Sequence, residues 1–202
     1  MVNSALRITG AGPGKIQETE KGAESMKRFM CALMAVLMAC GLMTACGDKE
    51  ESAKSYTVDE IYDAIKEAYG EDFLPDGEMN EAEYTETYGL NMDDVEEIRG
   101  EIAMISFHPD RLLIVKAKEG KGEDVEKALT AARDNLVENG MWYPANLAKV
   151  EASKVLRHGD HVVFLMLGGV DERLEATEEE AAQFAQEQAQ IGFDAFDKLF
   201  ED

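Results

Sequence analysis

Lys154-Val155-Leu156-Arg157-His158-Gly159-Asp160-His161-Val162-Val163-Phe164-Leu165-Met166-Leu167 is the stretch that decides the fold. Val162 to Leu167 is apolar at every position. A strand buried on one face alternates apolar and polar residues, so an unbroken run calls for cover on both faces and marks an interior strand. Gly159-Asp160 separates this run from Lys154 to Arg157. Glycine reaches positive φ at little cost, which suits a two-residue hairpin turn. The stretch therefore predicts strands over 154–157 and 161–167.

Working outward, Arg99 to Phe107 and Arg111 to Lys118 are rich in Ile, Leu, Val and Phe. His108-Pro109-Asp110 divides them, which predicts a second hairpin. Between the hairpins, Val125, Leu129, Ala132 and Leu136 fall on one helical face, and Asn139-Gly140 ends that helix. Trp142-Tyr143-Pro144 reads as a loop and 146–151 as a short helix or turn. Upstream, Thr57-Val58-Asp59-Glu60 has the spacing of a capping box, and Val58, Ile61, Ile65 and Ala68 form a stripe ended by Gly70. A helix over 58–69 is expected. Asn80 is expected to cap a short helix carrying Tyr84 and Tyr88, and Asn91 another turn. Thr177 with Glu180 caps a last helix over 178–200, its early acids matching the helix dipole. The order is helices, hairpin, helix, hairpin, helix. It predicts an α+β fold: a mainly antiparallel sheet of two hairpins with helices packed on it, in one globular domain over 57–202.

The N-terminal quarter is different. Met26-Lys27-Arg28 is basic, Phe29 to Ala39 is apolar, and Leu42-Met43-Thr44-Ala45-Cys46 ends the run before the chain turns polar. Basic start, apolar middle and small residues at a cleavage point make a secretory signal helix over 26–45. Leu42 to Cys46 resembles the lipobox of bacterial lipoproteins, with Met43 where Leu is usual. That resemblance implies a lipid on Cys46 and a tether over 46–56. Leu37-Met38-Ala39-Cys40 also fits, but the apolar run continues past Cys40. The alternative is an uncleaved membrane helix, for which Phe29 to Ala45 falls just short of the ~20 residues needed. Residues 1–25 precede this better start, and translation is expected to begin at Met26.

Net charge is −22. Residues 1–45 hold five basic and three acidic side chains, so the remainder carries −24. Such a surface repels phosphate backbones, which argues against nucleic acid as a partner. Cys31, Cys40 and Cys46 are the three cysteines, so the domain has no internal disulfide. About 145 residues can hold a core without one.

Few residues offer chemistry. Ser106, His108 and Asp110 alternate along an extended segment. Alternate residues there lie about 6.6 Å apart, too far for the contacts of a catalytic triad. His158 and His161 flank the hairpin turn and should face each other across it. They are the weak candidates for a divalent metal, joined by His108 only if both hairpin tips lie at one end of the sheet; otherwise they sit in an ordinary exposed turn. Asp93-Asp94 with Glu96-Glu97, and Glu178 to Glu180, lack calcium-loop spacing and read as helix starts. Tyr84, Tyr88, Trp142 and Tyr143 lie in irregular regions; Tyr88, Trp142 and Tyr143 are the candidate ligand-binding residues. No nucleotide or other cofactor motif is present.

Tyr88-Gly89-Leu90, Val95-Glu96-Glu97, Leu112 to Ala117, Val125 to Arg133, Tyr143-Pro144 and Gly159 to Leu165 together resemble domain-of-unknown-function family 4358. The resemblance covers about residues 57–170. It implies a small lipoprotein of Gram-positive anaerobes and no assigned activity. His161 stands where an aromatic is usual, and Asp110-Arg111 where Asp-Glu is. The combined expectation is a lipid-anchored protein on the outer face of the cell membrane, non-enzymatic, binding an envelope protein or small ligand. A divalent-metal-binding envelope protein and an envelope hydrolase with unrecognised carboxylates are the alternatives.

Overall fold

A computed structural model describes residues 54–170, 173 and 176–201. The expected signal helix over 26–45, Cys46 and the expected tether up to residue 53 lie outside the described residues. The Lys154–Leu167 stretch folds as expected, into β4 (Lys154–His158) and β5 (His161–Met166), with every residue of β5 buried. The other strands are β1 (Gly77–Glu78), β2 (Val95–Ile102) and β3 (Arg111–Ala117). All pairings are antiparallel, in the order β1-β2-β3-β5-β4. The interior position of β5 between β3 and β4 explains its apolar run.

Four α-helices accompany the sheet: α1 (Val58–Tyr69), α2 (Gly122–Asn139), α3 (Leu147–Ala152) and α4 (Glu178–Phe200). One sheet face presents Leu112, Ile114, Val163 and Leu165 to Ile61 and Ile65 of α1 and to Phe193 and Phe196 of α4. The other presents Leu113, Val115, Val162, Phe164 and Met166 to Val125, Leu129 and Ala132 of α2, with Tyr84 and Tyr88. The sheet is thus the middle of three layers, an α+β architecture. Within α1 the buried face includes Tyr62 and Tyr69, while Ala68 faces out.

Both expected capping boxes form, Thr57 with Glu60 and Thr177 with Glu180. Each threonine accepts from the third helical N–H, and each glutamate accepts the cap's own N–H, so orphan donors at the helix start are satisfied. Thr177→Ala is expected to cost about 1 kcal/mol. The check is a lower denaturation midpoint with an unchanged slope.

The first hairpin departs from expectation. β2 begins at Val95, not Arg99, and ends at Ile102, not Phe107. The turn capped by Asn91 lasts only from Met92 to Asp94, and Val95 then pairs with Ala117. Glu96 and Glu97 are strand residues rather than part of a helix start. Lys116 on β3 makes this tolerable, its Nζ lying 3.1 Å from a carboxylate oxygen of each. At the far end, the Ala103 N–H donates to the Asp110 carbonyl and closes a loop over 103–110. The apolar side chains of that loop imitate a strand in the sequence. β1 escaped notice because two residues carry no periodicity. A Cβ on Gly77 would sit 2.4 Å from Cγ of Met104, so that exposed side chain would have to shift.

The sheet has two distinct ends. Ile102, Arg111 and Met166 are level with one another, so the 103–110 loop lies at that end. The Gly159-Asp160 turn lies at the other. There the Asp160 carboxylate accepts the N–H groups of Gly120 and Gly122, fixing the start of α2. The chain also enters the domain at this second end, where Tyr56 meets His161.

Candidate binding surface

At the loop end, two segments meet. The first is the 103–110 loop, pinned by the Met104 N–H donating to Asp76 Oδ1 at 2.8 Å and by the His108 N–H donating to the Ile105 carbonyl at 3.0 Å. The second runs from the end of α2 into α3. Trp142 closes α2 by donating its indole N–H to the Leu136 carbonyl at 2.8 Å. The Arg111 guanidinium covers the Trp142 ring at 5.1 Å. The two segments touch where Phe107 and Tyr143 pack edge to face, centroids 6.0 Å apart.

Their outward side is apolar. Met104 is 70% exposed and Met141 81%, and Ile105, Phe107, Tyr143 and Leu147 are exposed with them. A single exposed apolar side chain needs no explanation, but six on two adjoining segments do. Phe107 also holds a φ of 56°, the only non-glycine in the left-handed region among the described residues. A bulky side chain is costly there, and such strain concentrates where side chains are aimed for use.

Beneath this surface lies a buried ion pair. Asp110, fully buried at the start of β3, accepts from Lys149 Nζ of α3 at 2.5 Å. Lys149 is itself buried. Burial pushes the Asp110 carboxyl above its ordinary range, and Lys149 offsets this only in part. Asp110 Oδ2 has no hydrogen-bond partner among the described residues. His108 Nδ1 lies 3.5 Å from Asp110 Oδ1, and burial lowers its pKa. This pair fastens α3 to the sheet and thereby steadies the segment carrying Met141, Tyr143 and Leu147.

The residues singled out from sequence are dispersed. Tyr88 is a core residue, 2% exposed and 5.8 Å from the Phe164 ring, so it cannot line a surface. Trp142 is half-buried and serves as the helix closure just described. Tyr143 does belong to the exposed surface. Ser106 is exposed and makes no hydrogen bond to His108 among the described residues, while Asp110 is turned to Lys149.

His158 and His161 are register partners, as expected, but theirs is not an ordinary exposed turn. His161 is buried and donates Nε2–H to the Tyr56 carbonyl at 2.7 Å. His158 Nε2 lies 2.8 Å from Asp197 Oδ1, and its ring stacks on Phe200. The two Nε2 atoms are thus engaged by different groups. His108 is at the opposite end of the sheet and does not join them. Among the described residues no group of three or more His, Cys, Asp or Glu is placed to hold a metal ion. No helix among them is long and apolar enough to cross a membrane.

Met104, Ile105 and Phe107 went unread because their composition matched a strand. The signal available was Pro109-Asp110, two strand-breaking residues directly after Met104 to His108.

A three-layer domain with an antiparallel sheet and one exposed apolar end defines the class. Residues 69–167 match the family model described as Domain of unknown function (DUF4358), which spans the sheet, α2 and α3. No curated protein and no solved structure matches the chain.

Proposed function

We propose that this chain is a lipoprotein anchored through Cys46 to the outer face of the cell membrane, and that its domain is a non-enzymatic binding module. Its binding surface is the exposed apolar end formed by Met104, Ile105, Phe107, Met141, Tyr143 and Leu147. That exposed cluster is the single observation carrying the reading. Exposed methionine and aromatic side chains adapt to and anchor on a partner's apolar surface. Two further features support it. The sheet and the Asp110–Lys149 pair give the loops a firm base. The first described residues, around Tyr56, also lie at the opposite end of the sheet from this surface.

The test uses the full chain in the cells that make it. A photo-crosslinking residue at position 107 or 141 is expected to give a discrete adduct in the envelope fraction. The same residue at position 67, exposed on α1, is expected to give none. Equal adducts at all three positions, or none at any, would sink the reading of the surface. Cys46→Ser tests the anchor separately: the protein is expected to leave the membrane fraction, since two acyl chains hold where a bare chain cannot. Retention would point to the uncleaved helix.

A further inference from the structure

The outer edge of β2 is covered along only part of its length. The Met79 N–H donates to the Gly100 carbonyl at 2.9 Å, and the Asp76 N–H to the Ile102 carbonyl at 3.1 Å. Gly100 and Ile102 therefore turn their backbone groups away from β3. Bonding direction alternates along an antiparallel strand, so Ile98 turns its N–H and C=O the same way. The neighbouring chain leaves the sheet after Met79, where Asn80 caps the next turn. Past Gly100, no described residue continues the line of β1 beside Ile98.

A groove of about 540 Å³ lies along this bare edge. Asp59, Glu78, Glu97, Arg99, Ile98 and Tyr84 are among its lining residues. Of its three carboxylates, Asp59 pairs with Arg99 at 2.6 Å and Glu97 with Lys116 at 3.1 Å, and Arg99 is also held by Glu101 at 2.9 Å. Glu78 has no ion pair among the described residues. The groove thus offers the outward N–H and C=O of Ile98 on its floor and the unpaired carboxylate of Glu78, beside the paired Asp59 and Glu97, on its wall.

We propose that this edge accepts a short, extended, lysine- or arginine-bearing peptide segment of a partner protein as an added strand. Backbone pairing at Ile98 supplies the attraction common to any strand, and the acidic walls select a basic one. Glu97 to Arg99 is room for about three residues of added strand, roughly 10 Å. The register shift between Val95 and Glu97 ends the ladder there. Net charge argues against the other occupants. Residues 47–53 of the tether hold Asp48, Glu50 and Glu51 against Lys49, and a second copy brings a further −24. Both are repelled from an acidic groove. This site is separate from the apolar end and does not depend on the lipid anchor.

The probe is a labelled heptapeptide alternating lysine and valine, added to the full chain in detergent micelles. Two controls share its length: the same peptide with alternate backbone nitrogens methylated, and a glutamate–valine version. The lysine–valine peptide is expected to bind. At about nine-tenths occupancy it slows hydrogen exchange of the Ile98 amide about tenfold. Neither control is expected to do so, because one cannot pair its backbone and the other has the wrong charge. Binding is also expected to vanish in Ile98→Pro, which removes an edge N–H that β3 does not use. Should Ile98→Pro fail to fold, the methylated peptide decides alone. Equal binding by the methylated peptide would overturn strand addition in favour of bare charge attraction. No binding by the lysine–valine peptide would overturn the site altogether.

Discussion

Lys149→Met is expected to destabilise the fold by about 3–5 kcal/mol, and adding Asp110→Asn to recover most of that loss. The two side chains are buried and joined at 2.5 Å, so removing the ammonium leaves the carboxylate buried without its counter-charge. Removing both leaves an amide and a thioether of similar volume, which a low-dielectric interior accommodates better than half an ion pair. Equilibrium denaturation of the four proteins at neutral pH measures the cycle. Additive losses in the double variant would show that the two residues act separately. The pH dependence gives a second reading. The Asp110 carboxyl is raised above its ordinary 3.8 in the fold, so the folded state holds this proton more tightly than the unfolded chain. Its contribution to stability is full below that ordinary value and is lost as pH rises through the raised one. The double variant should lack that decline.

Phe164→Ala is the second large effect, expected at about 3–5 kcal/mol. Phe164 is fully buried at the middle of β5, with Leu113 and Val155 as its partners on the neighbouring strands. It belongs to the cluster shared with α2 and Tyr88. Truncation would open a cavity between an interior strand and a helix, where neither side can collapse easily. The measurement is the denaturation midpoint, with Leu156→Ala on the half-buried edge strand as the milder comparison. A loss below about 1 kcal/mol would mean that the α2 side of the sheet is loosely packed.

How much of this was legible in the sequence follows from what each element depends on. α1 and α4 were readable because capping boxes, and for α1 a glycine stop, are local chemistry. β5 was readable because burial on two faces leaves an unbroken apolar run. β2 was misplaced at both ends because its acids are stabilised from β3, by Lys116, which no local window shows. Met104 to Phe107 looked like strand for the opposite reason: apolar composition is read as burial, and here the side chains are exposed. The same blindness hid the candidate surface. Tyr88 was misread in reverse, an aromatic beside a glycine that folds inward onto Phe164. The Asp110–Lys149 pair joins residues 39 apart, so nothing short of the fold could bring them together.

The position of β5 governs when the domain can fold. β3 finds its second neighbour only when His161–Met166 has been made, so the β2–β3 hairpin must wait with one edge unsatisfied. The sheet face bearing Leu112, Ile114, Val163 and Leu165 waits longer still, because Phe193 and Phe196 belong to the last helix. A nascent chain lacking α4 therefore carries a half-covered sheet with a bare apolar face. Pairing across such sequence distances is slow, on the order of milliseconds to seconds. The sheet is consequently expected to complete its packing only once α4 has been made.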